Sequence, residues 1–340
     1  MLRVLQVGLG PLGQRVAVDL ERRGLGRVVA ALDQDPERVG RELADVVPGL
    51  AGGSTVRRVP GELAGIDELR VAVVTTSSDL ELCMDTFRDL LRRGMAVVST
   101  CEELSWPWLR HPILAQELQE LAVRHGGRIV GTGVNPGFLM DALPVVTSTL
   151  AHRVERVKVE RIQDASPRRV PFQRKIGATL TPEEFERAKG GWLRHVGLGE
   201  SLHFLAHALG WRVEAWEESI EPVLAEAPLE SGLGPVAAGA ARGVRQIARG
   251  TVDGEERLTL VFHAALAEPD PVDRITLQGE PDLVLEVPGG VNGDVATSAI
   301  VLNVLRPLML AAPGLHTMAT LPFPGTAAPD AFGPEGALAL

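Results

Sequence analysis

The sequence predicts two domains, an N-terminal α/β domain with a doubly wound parallel sheet and a second α+β domain. Short apolar runs alternate with amphipathic stretches as far as residue 130, the pattern of strands joined by helices. A glycine-rich loop at 131–137 then interrupts the pattern, and longer alternating runs follow it. At 340 residues the chain is also too long for one ordinary core, and each part can bury apolar surface without disulfides or metals.

The first element is a strand, Val4–Val7, that runs directly into a G-x-G-x-x-G turn and an amphipathic helix. In a dinucleotide site Gly8 permits the tight turn, Gly10 lets the backbone approach the pyrophosphate, and Gly13 lets helix and strand pack closely. A second apolar run ends at Asp33, 20 residues after Gly13, where a ribose would be held. We therefore predict a Rossmann-type domain that binds the cofactor pyrophosphate at Gly8, Gly10, Pro11, Leu12 and Gly13.

Two residues after the second strand bear on the choice between NAD and NADP. A carboxylate at Asp33 would hold the adenosine ribose and repel the additional phosphate of NADP, which favours NAD. Arg38 lies nearby in the sequence and would attract that phosphate. The sequence therefore predicts a nicotinamide dinucleotide cofactor and leaves NAD and NADP as alternatives.

The remaining strands of this domain are each followed by residues that can reach the cofactor, because the ligand crevice lies at the carboxyl ends of parallel strands. We predict strands at 70–74, 96–99 and 128–130, and helices at 36–46, 79–93 and 112–125. The small hydroxyl residues after the 70–74 strand either line the cofactor or cap the next helix, and both interpretations stay open. The candidates at these strand ends are Thr75, Thr76, Ser77, Thr100 and Cys101.

Glu102 and Glu103 follow the 96–99 strand and are the candidate catalytic residues. A carboxylate at that edge could hold a substrate ammonium and take its proton, or stabilise the iminium formed after hydride transfer. The alternative is structural, since acidic side chains in the first turn of a helix interact favourably with its dipole. The spacing alone is compatible with both roles.

We place the domain junction at 131–137, which divides the chain into a dinucleotide-binding domain, 1–137, and a substrate and dimerisation domain, 138–324. In the second domain, helices are expected at 138–150 and 201–209, and strands at 154–162 and 258–265, with helical stretches between those two strands. The apolar stretch 294–310 is predicted as one long helix that could pack back on the first domain. The Pro-, Gly- and Ala-rich segment 325–340 is predicted to be a flexible tail.

Composition limits the classes of function. The net charge of −10 provides no attraction for nucleic acid or an anionic membrane surface, and we recognise no apolar run of membrane-spanning length, so neither partner is expected. Two cysteines without a C-x-x-C and an N-terminus that leads straight into a strand predict a cytoplasmic protein with reduced thiols. The absence of tyrosine excludes Tyr-Lys chemistry of the short-chain dehydrogenase kind. His203 and His207 lie four apart on a predicted helix without a third ligand, so no metal site is expected.

Several segments together resemble the 2,4-diaminopentanoate dehydrogenases and the native amine dehydrogenases grouped with them, within the dihydrodipicolinate-reductase-like class. The matching segments are Ser99-Thr100-Cys101-Glu102-Glu103-Leu104, the loop Gly131-Thr132-Gly133-Val134-Asn135-Pro136-Gly137-Phe138, Arg174-Lys175-Ile176-Gly177-Ala178, His195-Val196-Gly197-Leu198 and Asn292-Gly293-Asp294-Val295-Ala296-Thr297. The first two are specific, whereas the G-x-G-x-x-G turn is shared by many unrelated enzymes.

The resemblance implies an NAD(P)-dependent oxidoreductase that interconverts a primary amine with a ketone and ammonia, and that forms a homodimer. It also implies that a glutamate of the T-C-E-E-L segment binds the amine nitrogen, and by analogy with related dehydrogenases we favour Glu102. Asn135 would line the nicotinamide pocket. The residues implied near the substrate are Phe138, Met140, Phe172 and His195.

Two other classes of function are alternatives. A reductase of cyclic imines, like dihydrodipicolinate reductase, would need a histidine pair and a lysine in the second domain, and these are not found at the expected spacing. A non-catalytic dinucleotide-binding sensor would lack an acidic residue in the crevice, and Glu102 argues against it.

Overall fold

The computed structural model describes residues 1–63, 65–189, 191–193 and 195–328 of the chain. The described residues form two compact units. Unit 1 contains Met1–Phe138 together with the residues from Gly293 onward, and unit 2 is Leu139–Asn292. The first division lies beside the predicted junction at 131–137. The second differs from prediction, because unit 2 ends at Asn292 and not at residue 324.

Unit 1 is built on a six-stranded sheet in the order β14-β5-β4-β3-β1-β2, in which every pair of neighbours is parallel. This is the doubly wound sheet that the alternation of apolar runs predicts. The strands are nearly continuous apolar segments because helices cover both faces of such a sheet. They are β1 (Leu2–Val7), β2 (Gly26–Leu32), β3 (Val71–Val74), β4 (Ala96–Ser99), β5 (Arg128–Gly131) and β14 (Gly314–His316).

The helices of unit 1 begin and end at recognisable signals. Asp79 accepts a hydrogen bond from the Leu82 N–H at 3.2 Å and caps α3, and Gly126, with a φ of 73°, ends α4. The helices in the first part of the unit are α1 (Pro11–Arg22), α2 (Leu43–Val46), α3 (Leu80–Arg92) and α4 (Pro112–His125). The predicted helix at 36–46 is wrong over most of its length. Val56 exchanges backbone hydrogen bonds with Gly40 and Arg41, both at 2.9 Å, and so uses groups that a helix would need.

The segment from Gly293 to residue 328 adds two helices and a strand to unit 1. Instead of one long helix there are two, α9 (Gly293–Asn303) and α10 (Leu305–Leu310). Ser298 on α9 donates to the buried Asp19 of α1 at 2.7 Å, which ties this segment to the first helix. Ala327 exchanges hydrogen bonds with Arg23 and Asn303, so the predicted tail is ordered at its start. From position 329 the predicted tail lies outside the described residues.

The same segment corrects the expectation that no apolar run reaches the length needed to span a membrane. Gly293–Leu310 is long and apolar enough by composition to cross a membrane, with a mean hydropathy of 1.3 over 18 residues, which the sequence analysis did not recognise. Half of this stretch is buried inside the structure, and it is divided at Val304. The core helix of a globular unit has the same composition, and α9 occupies such a position beside α1.

Unit 2 is an α+β unit around a mixed six-stranded sheet in the order β13-β12-β6-β11-β10-β7, in which only the described pair β6 and β11 is parallel. Its strands are β6 (Arg153–Asp164), β7 (Ala215–Leu224), β10 (Ala241–Val252), β11 (Glu255–Ala265), β12 (Val272–Glu280) and β13 (Leu283–Pro288), with a separate hairpin of β8 (Leu229–Ser231) and β9 (Gly234–Val236). The helical stretches predicted between the 154–162 and 258–265 strands are wrong where β7 and β10 form.

The helices of unit 2 are short, and one of them covers the sheet. They are α5 (Ala142–Ser148), α6 (Val170–Lys175), α7 (Pro182–Ala188) and α8 (Leu198–Ala208). A Cβ at Gly250 on β10 would lie 3.1 Å from Leu202 of α8, so the absence of a side chain there lets the helix approach the strand. The α5 helix is shorter than the predicted 138–150, because Asp141 caps it by accepting the Ala142 N–H at 2.6 Å.

Candidate active site

The glycine turn of unit 1 has the geometry of a pyrophosphate cradle. Gly8 has a φ of 86°, and a Cβ there would lie 2.7 Å from the Thr75 carbonyl oxygen. A Cβ at Gly13 would lie 2.0 Å from the Gly8 carbonyl oxygen, so both positions require glycine for packing. Gly10 differs, because a Cβ there would meet no heavy atom within 4 Å. Its bare backbone faces open space at the N-terminus of α1, where free N–H groups favour an anion.

The register of the parallel strands brings the predicted strand ends together at one edge of the sheet. Val7 pairs with Val74, Val74 with Ser99, and Ser99 with Gly131. The residues that follow these strands are therefore neighbours. They include the glycine turn, Thr75 to Ser77, Thr100 to Glu103, and the start of the 131–137 loop.

A cavity of about 660 Å³ opens at this edge of unit 1. Its lining comprises Val7, Gly8, Gly10, Leu32, Asp33, Gln34, Arg38, Arg58, Val59, Pro60, Thr75, Thr76, Ser77, Leu82, Asp85, Thr86 and Asp89. A volume of this size lies within the range of ligand pockets, and it runs from the glycine turn to the loop after β2. The chain thus has a cradle and a cavity that fit a dinucleotide.

The hydroxyl residues after β3 belong to this cavity and do not cap the following helix, whose cap is Asp79. Thr75 donates to the Gly8 carbonyl at 2.9 Å and accepts from Gln6 at 2.9 Å, so its side chain holds the glycine turn in place. Ser77 accepts the Asp79 N–H at 3.1 Å. Of the two interpretations left open by the sequence, the cavity-lining one describes Thr75, Thr76 and Ser77.

Asp33 is buried at the end of β2, and its carboxylate is engaged by groups of the chain itself. Oδ2 accepts the Leu9 N–H at 2.6 Å and the Arg38 guanidinium at 3.1 Å, while Oδ1 accepts the Asp35 N–H at 2.8 Å. Asp33 thereby fixes the glycine turn to the end of β2. A carboxylate oxygen has two lone pairs, so Oδ1 retains one position for a ribose hydroxyl.

Two buried thiols lie beneath the cavity-lining turn. Cys101 donates to the Ser78 carbonyl at 3.3 Å, and Cys83 donates to the neighbouring Ser77 carbonyl at 3.7 Å. The neighbouring Cys101 thiol lowers the pKa of Cys83 to about 7, with Thr76 contributing in the same direction, while Cys83 and burial raise the pKa of Cys101. Both thiols hydrogen-bond to this turn, and the contact of Cys101 with the cofactor stays a prediction.

The two adjacent glutamates have different environments. Glu103 is buried, and its Oε2 accepts the Leu80 N–H at the start of α3 at 2.9 Å and lies 3.1 Å from His111 Nε2. This is the helix-terminus role that the sequence offered as an alternative to catalysis. Glu102 is half-buried and begins a 3-10 turn, Glu102–Ser105, immediately after the end of β4. The catalytic assignments to Glu102 and Glu103 both stay predictions, and the contacts of the Glu103 carboxylate with Leu80 and His111 favour Glu102.

The 131–137 loop packs on the turn that contains the glutamates. A Cβ at Gly131 would lie 2.5 Å from the Leu104 carbonyl carbon, so glycine permits this close approach. The loop is also joined to α9, because the Val134 N–H donates to the Thr297 hydroxyl at 3.2 Å. Three of the segments that carry the family resemblance therefore meet in unit 1. Asn135 is buried in this loop and precedes a cis proline.

The residues implied near the substrate divide between the two units. Phe138 is in unit 1, with its ring centroid 6.1 Å from that of Phe323. Met140, Phe172 and His195 are in unit 2. The His195 ring stacks on Phe262 at 4.3 Å, and its backbone exchanges two hydrogen bonds of 2.8 Å with Gln246. The structure does not test whether these residues contact a substrate, which remains a prediction.

Arg161 is a buried cation in unit 2 that the sequence analysis missed. Its side chain is 2% exposed, burial lowers its pKa to about 10, and the nearest described carboxylate oxygen, on Asp273, lies 3.9 Å away. Burial likewise raises the pKa of Asp273. Arg161 Nη2 donates to the Val291 carbonyl at 3.1 Å, and the Gln163 amide oxygen faces the guanidinium. Arg161 Nη1 has no hydrogen-bond partner among the described residues.

The missed residue had a signal in the sequence. Val157, Val159 and Arg161 occupy successive inward positions of β6, so an arginine interrupts the apolar face of an alternating strand. Arg168, whose guanidinium lies 4.1 Å above the Phe172 ring, adds a second positive charge near Arg161. A small cavity of about 10 Å³ adjoins Arg161 and is bordered by Met140, room for roughly one water molecule.

A parallel sheet with a glycine cradle and a cavity at its carboxyl edge defines a class, the Rossmann-type oxidoreductases. Sequence comparison identifies the family within that class. A profile of the 2,4-diaminopentanoate dehydrogenase C-terminal domain matches residues 138–332, more than half of the chain, and the chain belongs to this family. The resemblance inferred from the motifs is thereby confirmed, and the sensor alternative is excluded in favour of an oxidoreductase.

Individual relatives match nearly the whole chain. A 2,4-diaminopentanoate dehydrogenase of Acetoanaerobium sticklandii is 28% identical over 338 residues, covering 95% of this chain and 94% of the relative. An amine dehydrogenase of Streptomyces virginiae is 23% identical over 357 residues, covering 95% and 96%. The structure of an amine dehydrogenase from Mycobacterium smegmatis is 24% identical and covers 96% of this chain and 98% of that chain, with a TM-score of 0.83. This structural match shows that the two proteins share a fold.

Proposed function

We propose that the protein is an NAD(P)-dependent dehydrogenase that interconverts a primary amine with a ketone and ammonia. The observation that carries the proposal is the pair of glutamates after β4. The Glu103 carboxylate contacts the start of α3 and His111, whereas Glu102 follows β4 at the same edge of the sheet as the cavity-lining residues that follow β3. The names of the relatives support a substrate of the amine class.

The cofactor would lie across the carboxyl ends of the parallel strands. Its pyrophosphate would occupy the space in front of Gly10, and the adenosine would extend towards Asp33. When bound, the nicotinamide supplies a hydride acceptor or donor. Thr75 and Asp33 hold the glycine turn in place, so the chain would meet the pyrophosphate with a preformed cradle.

The role of Glu102 follows from the charge of the substrate. An amine is an ammonium ion near neutral pH, and hydride cannot leave its carbon until the nitrogen has a lone pair. Glu102 would accept that proton and release it to solvent, and the regenerated carboxylate would then stabilise the positive iminium formed as hydride departs. Water would add to the iminium carbon and lose one proton to the Glu102 carboxylate, which gives a neutral carbinolamine. Glu102 would return this proton to the nitrogen, the C–N bond would break to release ammonia, and the carbinolamine hydroxyl would lose its proton to solvent to leave the ketone.

Arg161 supports a narrower substrate class, an amine that also bears a carboxylate. The buried Arg161 guanidinium has one nitrogen, Nη1, without a hydrogen-bond partner among the described residues, and burying an unpaired N–H costs free energy. A substrate carboxylate that accepted this N–H would remove that cost, so the site is suited to an anion. The adjoining cavity is small, so Met140 would have to shift to admit such a group. Its unbranched side chain makes that movement easier than it would be for a branched residue.

A substrate screen tests the proposal. Purified protein is incubated with paired amines of the same carbon skeleton, with and without a carboxylate, and with NAD or NADP, while absorbance of the reduced cofactor is followed. We expect reduction with amines, and a higher kcat/KM for the carboxylate-bearing member of each pair. No reduction with any amine, and no oxidation of reduced cofactor with ketones plus ammonia, would refute the function.

The proposed enzyme is a homodimer in the cytoplasm. The family resemblance supports a homodimer, and analytical ultracentrifugation of the purified chain would give its mass in solution. The cysteine usage supports a cytoplasmic location. Fractionation of the source cells followed by detection of the protein would test that location.

A further inference from the structure

We propose that Cys83 and Cys101 form a reversible disulfide when the protein meets a peroxide, and that this bond weakens cofactor binding in the unit 1 cavity. The two residues are the only cysteines of the chain, 18 positions apart. Both are buried free thiols in this structure. The disulfide itself is independent of the proposed function, whereas its effect rests on the cofactor placement given there.

The fold brings both thiols to the cavity-lining turn between β3 and α3. Cys83 on α3 donates to the Ser77 carbonyl at 3.7 Å, and Cys101 after β4 donates to the Ser78 carbonyl at 3.3 Å. The Ser78 carbonyl also accepts the Glu103 N–H at 3.2 Å, which ties the turn to the segment that carries Cys101. The thiols thus contact adjacent peptide groups of one turn, and both belong to the same apolar cluster.

The two thiols differ in acidity, and this difference gives each a role. The Cys101 thiol lowers the pKa of Cys83 to about 7, whereas Cys83 and burial raise the pKa of Cys101. Because the thiolate is the nucleophile, Cys83 is the residue that attacks the peroxide. Cys101 is then placed to attack the oxidised Cys83 sulfur.

The reaction with hydrogen peroxide balances without another reactant. The Cys83 thiolate attacks one peroxide oxygen, the O–O bond breaks, and hydroxide leaves to take up the proton that Cys83 lost. Cys83 is now a sulfenic acid. The Cys101 sulfur attacks the Cys83 sulfur, the S–O bond breaks, and the hydroxyl group leaves as water with the Cys101 proton. Two thiols have lost two electrons and two protons, and the peroxide has become two molecules of water.

A small oxidant can approach Cys83 from the cavity. The Thr76 hydroxyl lies 3.6 Å from the Cys83 sulfur, and Thr76 is itself exposed and lines the cavity. Movement of this side chain would open a path for hydrogen peroxide, which is little larger than water. A bulky disulfide such as oxidised glutathione would need a much larger opening, so the site is selective for a peroxide.

The disulfide would change the cavity because it removes both thiol donors. A disulfide has no S–H, so the Ser77 and Ser78 carbonyls would each lose a hydrogen bond. Its sulfur atoms are about 2 Å apart, well inside the contact distance of separate thiols, so the two side chains must move together. Ser77 lines the cavity, and Glu102 follows Cys101 directly in the chain. The bond would therefore displace the cavity-lining turn and the segment of the proposed proton acceptor together.

Mass spectrometry tests the bond without cofactor or amine. The wild type is treated with hydrogen peroxide, desalted and digested, and a second portion is reduced with dithiothreitol before digestion. We expect one pair of peptides linked between Cys83 and Cys101, with a mass lower by two hydrogen atoms than the sum of the two, and complete reversal in the reduced portion. Unlinked cysteines after peroxide treatment, or a disulfide between two chains, overturn the proposal.

Two serine variants test the order of attack, because serine retains a hydroxyl donor for the turn. In Cys101→Ser the second thiol is missing, so peroxide should leave a sulfenic acid on Cys83 that dimedone labels. In Cys83→Ser the remaining Cys101 stays protonated and should not be labelled. Label on Cys101 in Cys83→Ser, with none on Cys83 in Cys101→Ser, overturns the assigned order.

Fluorescence titration with NADH and NADPH measures the effect on the cavity. Oxidised wild type should bind at least about tenfold more weakly than the reduced protein, because two hydrogen bonds to the turn are lost and the turn is displaced. Cys83→Ser after the same peroxide treatment is the matched control, and its affinity should not change. Equal affinity of the oxidised and reduced wild type overturns the effect. If the reduced protein binds neither cofactor, the cofactor placement and the effect on it are both overturned, whereas the mass measurement alone decides the disulfide.

Discussion

The polar sites of the two units are built on opposite principles. In unit 1 the ligand-facing groups are backbone N–H groups around Gly10, and the buried Asp33 has three donors from its own surroundings. In unit 2 the site consists of side-chain charges, with Arg161 and Asp273 3.9 Å apart and each retaining an atom without a hydrogen-bond partner among the described residues. The Asp33 carboxylate has hydrogen-bond partners without a ligand, whereas Arg161 and Asp273 retain unmet hydrogen-bonding capacity.

Under the proposed function, this difference predicts that unit 1 binds dinucleotides in general and that unit 2 selects the substrate. A backbone cradle recognises the pyrophosphate common to all dinucleotides, so it can be complete in advance. An incompletely satisfied buried cation discriminates strongly, because a substrate that lacks the matching anion leaves the desolvation cost in place. We therefore expect changes in unit 1 to affect cofactor binding or turnover, and changes in unit 2 to affect substrate preference and stability.

The largest effect should come from filling the space in front of the glycine turn. Gly10→Val places a side chain where no protein atom lies within 4 Å, so stability should be nearly unchanged while cofactor binding is abolished. Gly13→Ala is the comparison, because its Cβ would lie 2.0 Å from the Gly8 carbonyl oxygen and should lower the melting temperature. Cofactor titration and thermal unfolding distinguish the two. Undiminished cofactor affinity in Gly10→Val would show that the pyrophosphate lies elsewhere.

The glutamate pair should give the next largest effect. Glu102→Gln removes the proton acceptor and should lower kcat by on the order of a hundredfold or more, with cofactor affinity retained. Glu103→Gln weakens the contacts to Leu80 and His111, so it should cost about 1 kcal/mol of stability and little of kcat. Steady-state kinetics and denaturant unfolding of both variants provide the measurements. An active Glu102→Gln beside an inactive Glu103→Gln would reverse the assignment.

Breaking the charge pair in unit 2 should affect stability and substrate preference together. Arg161→Met leaves Asp273 buried without its cation and should lower the free energy of unfolding by roughly 3–5 kcal/mol. The double variant Arg161→Met with Asp273→Leu removes both charges and should recover most of that loss. In the double variant, KM should rise for carboxylate-bearing amines and change little for apolar ones. An unchanged KM for both classes would show that Arg161 has only a structural role.

The smallest effect concerns the thiols beneath the cavity. The pKa of Cys83 is lowered from 9.0 to about 7, so its thiolate is favoured in the folded state. The free energy of unfolding should therefore rise as pH increases from about 7 to 9, while Cys101, whose pKa is raised, stays protonated. Thiolate absorbance gives the titration directly. Cys101→Ala removes the largest cause of the lowered Cys83 pKa, so the pKa of Cys83 should rise in this variant. An unchanged Cys83 pKa would show that Cys101 does not influence it.

The elements of unit 1 were predictable because their signals are local. The strand, glycine turn and helix follow within Leu2–Arg22. Gly13 is required by its contact with Gly8 in the same turn, whereas Gly8 is required by a contact with Thr75 after β3 and Gly10 faces open space. The predicted strands 96–99 and 128–130 also agree with the structure. The failures have tertiary causes, since the 36–46 helix is replaced by pairing with residues near Val56, and β10 lies in the sheet between β11 and β7.

The sequence by itself determined the Rossmann-type cradle, the family and the candidate pair Glu102 and Glu103, because motifs of adjacent residues encode backbone conformation. Only the tertiary structure showed that the Glu103 carboxylate contacts Leu80 and His111, since folding brings these residues together and the spacing in the sequence does not indicate it. It also revealed the buried charge pair of Arg161 and Asp273, whose two members lie on neighbouring strands of the sheet. Burial and charge compensation arise from contacts between segments that are distant in the sequence. They can therefore be recognised only once the structure shows which segments are in contact.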